Sequence, residues 1–124
     1  MKLLVAGSRG LSAQADAVHC ELDALHAVTA VTVLISGGAE GIDRLAEQWA
    51  RLNGIAVQVF RPDYANAPGG RRRAAPLVRN QQMVDASEKV AVFWDGASRG
   101  TAYVVKQARK QRKLLFVHKL CVSA

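Results

Sequence analysis

Two cysteines in 124 residues are too few to form a disulfide framework. Cys20 and Cys121 belong to no metal-ligand pattern either. Cys20 falls within an expected helix, where a small buried side chain is the expected role. Nothing asks for an oxidising compartment. Aromatic residues make up only 6% of the chain, and none is interleaved with its most basic run, Arg71-Arg72-Arg73, which is poor provision for a base-stacking platform. No apolar run approaches the roughly 18 residues that a membrane-crossing helix requires. The apolar start, Met1 to Ala6, stops at Gly7-Ser8-Arg9, too early for a secretory signal. It reads as a buried first strand, and the protein is expected to be cytoplasmic. There are no repeats, low-complexity tracts or linkers, so residues 1–120 are expected to form a single domain and 121–124 a tail.

What is present is an ordinary globular composition, 50% hydrophobic and 22% charged. The net charge of +7 is unevenly spread. Residues 1–60 carry four Lys/Arg against six Asp/Glu, −2; residues 61–124 carry thirteen against four, +9. A basic half implies attraction to something anionic without choosing between a nucleotide, a nucleic acid and an acidic partner.

Short β-branched runs alternate with stretches of helical spacing. Strands are expected at Lys2–Ala6, Thr32–Ile35, Ile55–Phe60, Lys89–Trp94 and Leu114–Val117. Between them, Leu11, Ala15, Val18, Leu22 and Leu25 mark one helix face, with Ser12 as a candidate N-cap. A second helix spans Ile42 to about Leu52 and stops at Asn53-Gly54. A third starts near Pro76 and runs to about Ala86, and a fourth runs from Gly100 or Thr101 to about Gln111. Strict alternation predicts an α/β, Rossmann-like three-layer sandwich with a mainly parallel five-stranded sheet. The orders 3-2-1-4-5 and 2-1-3-4-5 are both natural, and the first is favoured. It brings the turns after strands 1, 2 and 4 together at the carboxyl ends of the strands, where ligands of such sheets bind.

Those turns are glycine-bearing and carry hydroxyls: Gly7-Ser8-Arg9-Gly10, then Ser36-Gly37-Gly38-Ala39-Glu40-Gly41-Ile42-Asp43, then Asp95-Gly96-Ala97-Ser98-Arg99-Gly100-Thr101. Strand, glycine turn, helix start is an arrangement in which main-chain N–H groups and the helix dipole can face an anion. Arg9 and Arg99 add guanidinium groups suited to phosphate. Two familiar nucleotide motifs are absent. The first turn is G-x-x-G rather than G-x-G-x-x-G, and no acidic residue ends the second strand, which argues against a dehydrogenase. No G-x-x-x-x-G-K-[ST] occurs, which excludes a P-loop NTPase.

Ala6-Gly7-Ser8-Arg9, the string Ser36 to Asp43, Arg79-Asn80 with Met83, and Gly100-Thr101 together resemble the SLOG superfamily. Within it, they are most similar to the YspA-related family of small proteins. The resemblance runs from about Lys2 to Phe116 and implies a Rossmann-like sheet that binds nucleotides or nucleotide-derived ligands. The superfamily includes the cytokinin-activating phosphoribohydrolases and the DNA-processing protein A family of single-strand DNA binders. By position, Gly37, Gly38 and Gly41 match its second-strand turn, and Gly100 and Thr101 match the turn that holds phosphate. The phosphoribohydrolase motif P-G-G-x-G-T-x-x-E ends in a catalytic Glu, where this chain has Val104. Arg79 lies where those enzymes carry a catalytic Arg. Without the Glu, an oxocarbenium-like transition state lacks its nearest negative stabiliser; Glu40 and Asp43 are the carboxylates that could substitute.

The expected ligand-binding set is therefore Gly7, Ser8, Arg9, Ser36, Gly37, Gly38, Gly41, Asp43, Arg79, Asn80, Gly96, Gly100 and Thr101. No metal site is expected, no cofactor is assigned with certainty, and a nucleotide-type small molecule is the expected ligand. A nucleic-acid-binding module and a nucleoside-phosphate hydrolase with an atypical site are the alternatives. A homo-oligomer, most simply a dimer, is expected. His19 and His26 read as boundary positions of the first helix, and His118 as following the last strand without a partner. Trp49 reads as core, and Trp94 as core or as a stacking surface beside the crevice. Lys106, Arg109, Lys110, Arg112 and Lys113 read mainly as cations complementing the end of the fourth helix.

Overall fold

Parallel strands buried on both faces need apolar residues on both sides of the pleat, and the runs in this chain supply them. The computed structural model describes residues 1–11, 14–66 and 68–120; Ser12 as an N-cap, Cys121 and the 121–124 tail lie outside them. Strands β1 (Lys2–Gly7), β2 (Val33–Ser36), β3 (Ala56–Val59), β4 (Lys89–Trp94) and β5 (Leu114–Lys119) alternate with helices α1 (Ala15–Val28), α2 (Ile42–Leu52), α3 (Ala75–Ala86) and α4 (Arg99–Lys110). All strand pairs are parallel, in the order β3-β2-β1-β4-β5. The favoured topology is the one observed.

Alternation along the strands divides the core in two. Leu3, Val5, Leu34, Ala91 and Phe93 point to the face covered by α1 and α2, where they meet Val18, Leu22, Ile42, Leu45 and Trp49. Leu4, Ala6, Ile35, Val90 and Val92 point to the opposite face and meet Met83 and Val84 of α3 and Val104, Val105 and Ala108 of α4. Trp49 is almost fully buried, and its indole N–H donates to Asp23 Oδ1 at 2.8 Å, so a large apolar ring is buried with its one donor satisfied. Histidines of α1 sit at the boundary, as expected. His26 Nδ1 accepts from Val31 N at 2.9 Å, and its ring meets Trp49 edge to face. His19 Nε2 lies 3.3 Å from Leu45 O.

Two expectations about single residues are corrected. Cys20 is exposed rather than buried, because α1 turns Val18 and Leu22 inward and position 20 falls on the far side of a 3.6-residue period. His118 does not follow the last strand. β5 runs two residues further than Val117, and the strand fixes the imidazole 3.9 Å from Glu21 Oε1 and against the Phe93 ring.

α2 begins without a side-chain cap. Its N-cap is Gly41, with φ of 79°, a left-handed conformation that costs an L side chain about 1–2 kcal/mol. A Cβ there would also collide with the main-chain carbonyls of Ser8 and Arg9. Gly54, past the end of the same helix, also has positive φ but faces open space. Gly41→Ala is therefore expected to lower stability in urea denaturation by at least about 3 kcal/mol, and Gly54→Ala by only about 1 kcal/mol. Equal losses would refute the close approach of the first two turns.

Candidate functional site

The three turns do converge. β1 is central, and its end is joined to both neighbouring turns through Ser8. Ser8 N donates to Phe93 O at 3.1 Å, Ser8 O accepts from Ile42 N at 3.4 Å, and Ser8 Oγ accepts from Asp95 N at 3.0 Å. Above this junction lies a cleft of about 410 Å³. Its walls include Gly7, Arg9 and Gly10 after β1, Ala39 and Asp43 after β2, and Pro76, Arg79, Asn80 and Met83 of α3. Asp95, Ser98, Gly100, Thr101 and Val104 close it on the β4–α4 side.

Of the expected set, Gly7, Arg9, Asp43, Arg79, Asn80, Gly100 and Thr101 line this cleft. Ser8, Ser36, Gly37, Gly38, Gly41 and Gly96 are not among its lining residues. Ser8 and Ser36 are 1% and 0% exposed, and their hydroxyls meet protein groups. Ser36 Oγ donates to Glu47 Oε2 at 2.8 Å and accepts from Gly38 N at 3.2 Å. The missing Cβ of Gly37 makes room for the protein itself, since a Cβ would lie 2.9 Å from Asp43 Oδ2 and 3.1 Å from Arg79 Nη1. The N–H of Ala39 likewise donates to Asp43 Oδ2 at 3.2 Å. Two main-chain donors of the second turn are thus taken by its own side chains.

Arg79 braces this turn from α3. Its Nη1 donates to Gly37 O at 3.0 Å and to Phe60 O at 3.2 Å, and its Nε donates to Asn80 Oδ1 at 2.8 Å. Among the described residues Nη2 has no hydrogen-bond partner. Burial draws the guanidinium below its ordinary value while Asp43 pulls it back; an arginine so placed stays charged. Asn80 is 6% exposed, and its Nδ2 lies beside Gly100.

The β4–α4 turn is built by hydrogen bonds to Asp95. Its Oδ1 accepts from Ala97 N at 2.8 Å and Ser98 N at 2.9 Å, which hold the carboxyl below the usual carboxylate value. Ser98 then caps α4: its Oγ accepts from Thr101 N at 3.5 Å and lies 3.1 Å from Thr101 Oγ1. Asp95 and Ser98 are absent from the expected set, although Asp95-x-x-Ser98 before a helical stretch is an Asx-turn and N-cap signal. Trp94 does not face this cleft. Its Nε1 donates to Ser98 O at 3.1 Å, and its ring lines the opposite side of α4. The arginines Arg71 to Arg73 also lie away from the cleft lining. Arg72 packs over the Tyr64 ring, 5.3 Å from its centroid. Among the described residues no group of three His, Cys, Asp or Glu could hold a metal, and no helix is long and apolar enough to cross a membrane.

Asp43 is the most perturbed group of the cleft. Burial raises its pKa from 3.8 to about 6, against the opposing pull of the Ala39 N–H and Arg79. A carboxyl whose folded value lies above its unfolded value favours the native state while protonated. That contribution is complete below about 3.8 and is lost as pH rises through about 6. It amounts to at most about 3 kcal/mol. Asp43→Asn keeps an oxygen for Ala39 and never ionises. The stability of the variant relative to the parent should therefore rise between pH 4 and pH 7 in paired melting curves, and a difference independent of pH would contradict the buried carboxyl.

Comparisons with known proteins can be set against this geometry. The model of a family described as "YspA, cpYpsA-related SLOG family" matches residues 1–66. The Gene 61 protein of Mycobacterium phage D29 is 30% identical over 115 residues, which cover 88% of this chain and 89% of that protein. Among solved structures, DNA processing protein A from Helicobacter pylori, described with a single-stranded DNA binding mode, superposes with a TM-score of 0.70 at 21% identity. The match covers 94% of this chain but only 64% of that one, and at this identity the likeness concerns the fold. The family model spans more than half of the sequence and the phage protein aligns along nearly all of it; the chain belongs to the YspA, cpYpsA-related SLOG family.

Proposed function

We propose that the cleft at the end of β1 binds a nucleotide or nucleotide-derived small molecule through its phosphate. The observation that carries this reading is the mixed polarity of the lining. Arg9, Arg79 and the dipole-positive start of α4 at Gly100-Thr101 suit a phosphate. Asp43, Asp95 and Asn80 offer partners for hydroxyls and for the edge of a base. A cleft of two arginines and two carboxylates suits a compact ligand bearing both kinds of group better than a polyanion. In this reading the second turn supplies a wall and a carboxyl, and the first and third turns hold the phosphate.

A second reading, binding of single-stranded nucleic acid, draws support from the fold relative whose structure is described with that activity and from the +9 half of the chain. Hydrolysis of a nucleoside phosphate has the least support. Val104 stands in the cleft wall where the catalytic Glu is expected, and of the two carboxyls in the described lining Asp43 is raised by burial to about 6 while hydrogen bonds lower Asp95.

The test is a melting-temperature screen of mononucleotides, ADP-ribose and NAD. A ligand at a hundredfold excess over its Kd should raise Tm by on the order of 10 °C. Arg9→Glu, a change at an exposed position, should abolish the shift while leaving the ligand-free Tm within about 2 °C. Gly38 is a poor position for the test, because its φ of 70° and the nearby Val59 side chain would make any substitution structural. Absence of a shift across the whole screen would overturn the reading.

A further inference from the structure

A second cleft, of about 570 Å³, lies on the other side of α4, between that helix and the edge strand β5. Thr101 and Val104 face the first cleft, whereas Val105, Lys106 and Arg109 turn toward the second, as the 3.6-residue period requires. Across from them, Trp94 and Lys119 are register partners on β4 and β5. Both line the cleft together with Val117.

Its chemistry differs from that of the first cleft. Lys106, Arg109 and Lys119 contribute three positive charges, and no Asp or Glu is among the lining residues. Among the described residues none of the three cations makes an ion pair or a hydrogen bond. Arg109 and Lys110 lie in the last turn of α4, where cations complement the helix end as the sequence suggests, while Lys113 serves the end of another helix. Lys113 Nζ donates to Val84 O at 2.8 Å and Asp85 O at 3.3 Å, in the last turn of α3. These three exposed cations and the Trp94 indole line one cleft, and among the described residues no carboxylate in its lining offsets them, so the cleft attracts an anion. The partly exposed Trp94 beside them supplies an aromatic surface of the kind on which bases stack.

We propose that the α4–β5 cleft is a second binding site, for a phosphorylated nucleobase, with Lys106, Arg109 and Lys119 on the phosphate and Trp94 against the base. The source of that chemistry is either a free mononucleotide or one unit of a single strand. The site does not depend on the reading of the first cleft, with which it shares no lining residue.

Trp94 makes the site directly observable, since the chain has two tryptophans and Trp49 is only 1% exposed. Titration with a short oligothymidylate and, separately, with dTMP should quench the emission, and Trp94→Phe should remove the quench. Lys106→Glu combined with Arg109→Glu should weaken binding at least about tenfold at low salt. For the oligonucleotide it should also lower the salt dependence, by roughly 0.7 in log–log slope for each phosphate no longer neutralised. The milder Lys106→Gln with Arg109→Gln should give a smaller loss of the same kind, and circular dichroism will confirm that both variants fold. Quenching by both ligands with similar Kd assigns the site to a mononucleotide; quenching by the oligonucleotide alone assigns it to a strand. A Trp94 signal unmoved by either ligand, or affinities unchanged in the folded charge-reversal variant, would overturn the proposal.

Discussion

Three hydrogen bonds at Ser8 hold the end of β1, the start of α2 and the end of β4 in one place. Through its N–H, carbonyl and hydroxyl this residue ties the close of β1 to Phe93, Ile42 and Asp95, and it is 1% exposed. A buried group with such partners is expensive to move, because each broken bond would leave a polar atom unsatisfied at about 1–3 kcal/mol. The starts of α2 and α4 are consequently fixed relative to one another before any ligand arrives. Gly41 permits this, because its missing Cβ lets the second turn approach the carbonyls of the first.

From that junction the two sides of α4 diverge in character. One side faces a cleft that holds both positive and negative groups, and Arg79 and Asp95 are held by hydrogen bonds to the protein. The other faces three cations without partners among the described residues. The +9 charge of the second half is therefore not a diffuse property. Part of it braces the fold, as at Lys113 and Arg79; part packs over an aromatic ring, as at Arg72; and part is collected along one side of one helix. The position of each charge on its element decides its role more than the total does.

Element types and topology were legible because the strands carry largely apolar runs, broken in β3 by Gln58, and the helices a period near 3.6. Lys89–Trp94 and Ile42–Leu52 agree with the structure at both ends. The convergence of the three glycine turns was legible for the same reason, since it follows from strand order. What the sequence could not convey was which polar atoms find partners inside the protein. Ser8 and Ser36 look like ligand hydroxyls in a turn, yet the partners of their hydroxyls include Asp95 after β4 and Glu47 of α2, which no local spacing reveals. Gly37 looks like room for a ligand and is room for Asp43 and Arg79. Cys20 illustrates a different limit: composition favours burial of cysteine, but the register of α1 places it outside. Asp95 was legible and unread, its carboxylate bonding to the N–H groups just ahead of its own helix.

The irregularity between Val90 and Ala91 in the β4–β5 register bears on association between molecules. An open parallel sheet exposes two rows of main-chain donors and acceptors that can template strand addition from another copy. Here one border, β3, is only four residues long. The other departs from regular register near its start and ends on the exposed charge of Lys119; bulges and lysines of this kind twist and charge an edge against pairing. Copies of this chain are thereby steered away from continuous intermolecular sheets.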